Sequence, residues 1–300
     1  MDIREFGKII EAEVREELGS GYVVKYREIK KNNAVIRHAM EMRKADERIS
    51  PVVYIDNLFE EYKKGAGIMT LVHRLISLFE RFVPRTPMDV SFYDDFSKVS
   101  HQLTFKLVSM HENESLLKNV PYRQYEDLAM MPLCAVRNDQ IGSGTVTILN
   151  SHLKYWEISP KELWENIFES APVIAPAEIK TMLETLEHQK QIYGACEEIE
   201  DIFVVSNKDY CNGAGVIFYP GVLKGLSERL KSDIYIIPSS IHEMIVMRAQ
   251  AGNIGLDSLY HMVRQVNSTV ISREEFLSNS IYLYERGTGK LKIAEEPSIA

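Results

Sequence analysis

The chain lacks the short motifs that mark the commonest chemistries. Its three cysteines, Cys134, Cys196 and Cys211, lie far apart and form no C-x-x-C pair. A zinc knuckle or dithiol redox centre needs thiolates close in sequence, so the expectation is reduced, mostly buried thiols in a cytosol. No G-x-S-x-G elbow, GK[ST] phosphate cradle or H-E-x-x-H pair occurs, which removes the sequence signatures of α/β-hydrolases, P-loop nucleotide binding and zincins. Long apolar runs are missing as well. No stretch approaches the length of a membrane span, and the opening MDIREFGKIIEAEVREELG is amphipathic and acidic, unlike a secretory signal. A cytoplasmic protein without membrane contact is expected. Basic runs are scarce too: 35 Lys and Arg stand against 43 Asp and Glu, for a net charge of −8, and Arg37, Arg43, Lys44 and Arg48 are too scattered along the chain to define a patch. Phosphate-backbone binding draws on basic surface that releases counterions, so direct nucleic-acid binding is disfavoured. No helix-turn-helix pattern with a basic second helix appears either.

What is present is an ordinary globular composition, 45% hydrophobic and 26% charged over 300 residues. That length suits two domains or one with a smaller lobe. Ile3, Phe6, Ile9, Ile10, Val14 and Leu18 recur at helical spacing and stop at Gly19. The next segment reads as two strands turning at Lys31-Asn32-Asn33, then a short strand ISPVVYID whose Asp56 caps a helix interrupted at Gly65-Ala66-Gly67. A short helix around 93–100 precedes a strand over 101–109, and YEDLAMMPLCAVR pairs with GTVTIL. Ser159-Pro160-Lys161-Glu162 has the form of a capping box. Helices are expected over 176–190, 220–231 and 256–268, with strands at IFVVSN, VIFY, IYII and MIVMR and a terminal hairpin about Gly287-Thr288-Gly289. Strands and helices interleave without a βαβ rhythm. That predicts an α+β fold with mixed or antiparallel sheets and packed helices in two lobes, 1–120 and 121–300.

Candidate chemistry concentrates in two loops. Residues 238–243, PSSIHE, place Ser239, Ser240, His242 and Glu243 within five positions, a set that offers a hydroxyl nucleophile, an imidazole base and a carboxylate. Residues so close in sequence do not supply triad geometry by themselves, and Pro238 with the serines equally suits a polar turn joining two buried strands. Residues 207–213 hold Asn207, Asp209 and Asn212, which form a candidate small-ligand site. Gly213-Ala214-Gly215 leads into a strand in this reading, so it is a tight connection and not a dinucleotide fingerprint. Asp94 reads as a helix cap and His152 as a partly buried structural histidine at a helix start. No metal ligand set or cofactor is expected. The tyrosines, Tyr54, Tyr93, Tyr125, Tyr282 and Tyr284 among them, read mostly as half-buried sheet and core, though such rings also serve partner-binding faces.

ISPVVYIDNLFEEYKKG, SFYDDFSKV, NSHLKYWEISPKELWENIFESAP, the stretch from Ser206 to Met247 and the closing IYLYERGTGKLKI together resemble a family of uncharacterised bacterial proteins, a domain of unknown function found mainly in anaerobic Firmicutes and often near mobile-element genes. The resemblance spans residues 5–293 and is strongest at 206–247. It implies no activity, fold, cofactor or catalytic residue. Its setting favours a non-enzymatic interaction protein with a protein partner, of the regulator or anti-defence inhibitor kind, directed at a nucleic-acid enzyme. The competing expectation is a small-ligand enzyme or hydrolase built on loops 207–213 and 238–243.

Overall fold

The computed structural model describes residues 1–45, 52–82, 91–138, 142–188, 201–249 and 255–295. Cys196 lies outside them. The chain divides into two compact units, one of Met1–Ser91 with Arg137–Ser143 and a larger one built from Phe92–Val136 and Gly144–Ala300.

In the first unit, α1 (Ile3–Leu18) opens with a capping box. The Asp2 carboxylate accepts from the Glu5 amide at 2.8 Å, and the Glu5 carboxylate accepts from the Asp2 amide at 3.0 Å. Phe6, Ile10 and Val14, one turn apart, are buried. The strands β1 (Tyr22–Lys30) and β2 (Ile36–Lys44) pair antiparallel around Asn33 and Ala34, both at φ 56°. A third strand, β3 (Val52–Tyr54), pairs with β2. Helices α2 (Asp56–Lys63) and α3 (Ile68–Phe82) are separated by Gly65 at φ 100°, the break expected from the glycines. Asp56 is not the cap: Ile55 holds that position, and the Asp56 carboxylate instead accepts from the His38 amide at 3.2 Å. The helices and Val24, Met40 and Met42 of the sheet share one apolar core with Leu58, Leu71 and Leu75.

The larger unit runs α4 (Phe96–Val99), β4 (Leu103–Ser109), α5 (Glu114–Leu117), β5 (Arg123–Tyr125), β6 (Leu128–Asn138), β7 (Gly142–Thr147), α6 (Asn150–Trp156), α7 (Pro160–Ile174), β8 (Ala177–Thr181), α8 (Met182–His188), β9 (Phe203–Asn207), α9 (Val222–Leu230), β10 (Ile234–Pro238), β11 (Met244–Arg248), α10 (Leu256–Thr269), β12 (Tyr282–Glu285) and β13 (Lys290–Ile293). Strands β4, β6 and β5 lie side by side, with β7 also on β6; six more form the sheet β13-β12-β10-β11-β9-β8. Their registers are antiparallel, and the fold is α+β. The six-stranded sheet is covered on both faces, which is why IYII and MIVMR are apolar at nearly every position. Ile234, Ile236, Met244 and Val246 enter the large core with Leu223, Leu226 and Leu230 of α9 and Trp164 of α7. Tyr235, Ile237, Ile245 and Met247 meet Leu259, Tyr260 and Val263 of α10 on the other side.

Three local expectations are corrected. Residues 176–190 are not one helix: Ala177–Thr181 pairs in register with Phe203–Asn207, and the helix begins only at Met182. VIFY is not a strand, because Gly213–Phe218 coils into a 3-10 turn. The cap near residue 95 is Asp95 and not Asp94: the Asp95 carboxylate accepts from the Ser97 hydroxyl at 2.7 Å and amide at 3.0 Å, bonds that hold it below the usual aspartate range.

Candidate functional site

Strands β10 and β11 pair from Ile234↔Arg248 to Pro238↔Met244, leaving Ser239–Glu243 as the turn. That turn is closed by its own polar groups. The Ser239 and Ser240 amides both donate to the Glu243 carbonyl, at 3.2 and 3.3 Å. The Ser239 hydroxyl donates to the Glu243 carboxylate at 3.1 Å, and the His242 amide donates to Ser240 Oγ at 3.0 Å. Serines, histidine and glutamate within five positions therefore do what turn residues do, completing backbone hydrogen bonds where the ladder ends.

The loop after β9 is closed in the same way. The Asn207 carboxamide brackets Cys211, accepting from its amide at 3.2 Å and donating to its carbonyl at 2.8 Å. Tyr210 and Asn212 take left-handed conformations, φ 49° and 55°, a region asparagine tolerates well. Asp209 is exposed. Lys180 of β8 lies 5.3 Å from the centroid of the Tyr210 ring.

The two loops converge. The Asn212 amide donates to His242 Nδ1 at 3.1 Å, the Ser206 hydroxyl donates to the His242 carbonyl at 2.7 Å, and the Ala214 amide donates to the Ile241 carbonyl at 3.3 Å. With Nδ1 accepting, the proton of the neutral ring sits on Nε2, which stands 3.7 Å from a Glu275 carboxylate oxygen. Glu275 also accepts from the Ile241 amide through its carbonyl at 2.9 Å. Asn207, Asn212, Ser239, Ser240, His242 and Glu243 thus belong to one junction at the end of the six-stranded sheet, and Asp209 stands outside it. Ser206, Cys211 and Glu275 belong there too. Nothing in the local sequence marks Ser206 or Glu275, which join through partners in another segment, while Cys211 joins through Asn207 of its own loop.

The hydrogen bonds of this junction do not compose a nucleophile–base–orienter relay. The Ser206 proton goes to a carbonyl, the Ser239 proton to Glu243, and Ser240 accepts from a backbone amide, while the imidazole acceptor is taken by Asn212. Among the described residues, no group of three or more His, Cys, Asp or Glu is placed to hold a metal ion.

Two further polar clusters occur in the larger unit. Nδ1 of His152 accepts from the Leu149 amide at 3.1 Å and lies 3.2 Å from the Tyr93 hydroxyl; burial lowers its pKa, as suits a structural histidine. Cys134 is buried, with its thiol pushed up to about 11 by desolvation, and Cys211 is exposed. The second cluster was not expected at all. The Asp127 carboxylate accepts from the hydroxyls of Ser278 at 2.5 Å, Ser280 at 3.0 Å and Tyr282. Burial, and then the Asp127 charge, raise the Tyr282 pKa strongly, so its phenol keeps the proton it donates.

These features define an α+β protein with, among the described residues, three antiparallel sheets and a hydrogen-bonded loop junction at the end of the largest. A family model described as a family of unknown function (DUF5688) matches residues 3–286, and the chain belongs to that family. No curated protein and no solved structure matches it. Among the described residues, no helix is long and apolar enough to cross a membrane.

Proposed function

We propose that the chain is a non-enzymatic interaction protein of the bacterial cytoplasm that binds a protein partner, as a mobile-element-associated regulator or inhibitor of a nucleic-acid enzyme. The observation that carries this reading is the bond from the Asn212 amide to His242 Nδ1, which commits the one imidazole of the two candidate loops to holding those loops together. A general base needs that lone pair for a substrate or nucleophile proton. The resemblance to proteins encoded near mobile elements supports the choice of target class. A hydrolase remains the second reading, because the loops do converge and set His242 Nε2 3.7 Å from Glu275.

The test pairs capture with turnover. Tagged chain, reversibly cross-linked in its native host, is expected to recover a nuclease- or polymerase-class enzyme in near-stoichiometric amount, and the purified chain is expected to lower that enzyme's activity. Turnover of a chromogenic ester or phosphodiester by the purified chain, lost about a hundredfold or more in His242→Ala at unchanged melting temperature, installs the hydrolase reading instead.

A further inference from the structure

Along the chain, Lys25, Arg27, Arg37 and Arg43 are separate residues. The strand register gathers them. Alternate residues of a strand share a face, and the pairs Val24↔Met42 and Tyr26↔Met40 bring the buried core side of the β1–β2 ladder together. The intervening pairs Val23↔Arg43, Lys25↔Glu41, Arg27↔Ala39 and Ile29↔Arg37 therefore occupy the opposite face. β3 extends that face with Tyr54, paired to Ala39, and Val52, paired to Glu41. Lys25 and Arg27 are exposed there, and so are Val52 and Tyr54, at 39% and 42%. Lys31 reaches the same place from the hairpin turn, its ammonium 5.0 Å from the Tyr54 ring centroid.

We propose that this face binds a single-stranded polynucleotide. Among the described residues its charge is cationic, with Glu41 the one carboxylate, held by Arg27 at 2.8 Å and 3.9 Å from Arg43. In a chain of net charge −8, the cations on which this binding rests are exposed Lys25 and Arg27 and the Lys31 ammonium over Tyr54. Lysine and arginine match the phosphates, and exposed Tyr54 offers a ring on which any base can stack. Backbone-tracking cations with an aromatic platform are the combination that holds single strands without reading sequence. A sheet face flanked by helices behind it does not present the helix or two-stranded ribbon that enters a duplex major groove. An acidic protein segment would satisfy the charges but gain little from an exposed ring. The inference is independent of the partner proposed above, since it rests on the other unit.

The test is fluorescence anisotropy of the full chain with labelled oligo(rU) and oligo(dT) of about 20 nucleotides, long enough for several sites of the usual size. Salt-sensitive binding of either strand is expected, the tighter one identifying the sugar. Lys25→Ala should weaken it several-fold and shrink the slope of log affinity against log salt by about 0.7, the value for one phosphate contact on a single strand. Tyr54→Leu should weaken binding about tenfold while leaving that slope alone. Lys154→Ala on α6 should change neither. Binding indifferent to both Lys25→Ala and Tyr54→Leu overturns the proposal, as does equal affinity for duplex DNA. Displacement by polyglutamate with no effect of Tyr54→Leu assigns the face to an acidic protein instead.

Discussion

Gly213 has no room for a side chain. A methyl group built on it would lie 2.2 Å from Ser206 Oγ, 2.6 Å from the Asn207 amide nitrogen and 2.7 Å from the His242 carbonyl oxygen. Two of these are backbone atoms, and the third is bonded to that same carbonyl, so relief requires parting the loops. Gly213→Ala is expected to cost about 1–3 kcal/mol, the range for overpacking, read as a lower urea midpoint. Gly225→Ala is the contrast: it lies within α9 with nothing within 4 Å of the added carbon, and should stabilise by about 0.4–1 kcal/mol. The glycines around residue 213 were legible as a tight connection. What they are tight against was not, because Ser206 and His242 reach Gly213 from different segments and no local pattern names them. The same holds for His242 itself, whose bond from the Asn212 amide comes from the other loop and could not be read from PSSIHE.

At the scale of elements, hydrophobic period carried most of the reading and propensity misled it once. In α9, Leu223, Leu226 and Leu230 are buried and Val222 is half-buried at the edge, the face expected from their spacing. Leu226→Ala should therefore cost about 2–5 kcal/mol by calorimetry or denaturant titration, where an exposed position would move by no more than about 0.5 kcal/mol. β8 shows the opposite case. AEIKTMLETLEH is composed largely of helix formers after a proline, yet its first five residues form a strand because β9 offers a complete partner edge. Tertiary pairing outweighs intrinsic preferences of a few tenths of a kcal/mol per residue. VIFY was misread for a related reason: apolar residues of a buried 3-10 turn and of a strand look alike over so short a run.

At the scale of the whole chain, the α+β class was legible from the irregular alternation of elements, whereas the groups that tie distant segments together were not. Asp127 follows Glu126, which turns the chain at φ 50° between β5 and β6, and its three hydroxyl donors all come from residues 278–282. Removing the buried donor in Tyr282→Phe should destabilise by about 1.5–3 kcal/mol, the worth of a hydrogen bond to a charged group. Thermal unfolding of the variant checks this, and an unchanged midpoint would show that Ser278 and Ser280 suffice.

The order in which the chain acquires its structure also depends on that carboxylate. The turn between β10 and β11 closes over five residues, an event of the microsecond scale. Asp127 and Tyr282 are 155 residues apart, so their encounter bears the closure entropy of most of the larger unit and is rewarded only after the intervening strands have assembled. Contacts made after the rate-limiting barrier slow escape from the native state without hastening arrival. The three hydroxyls around Asp127 are therefore expected to act as a latch on a finished structure: Tyr282→Phe should speed unfolding and leave the refolding rate nearly untouched in stopped-flow denaturant jumps.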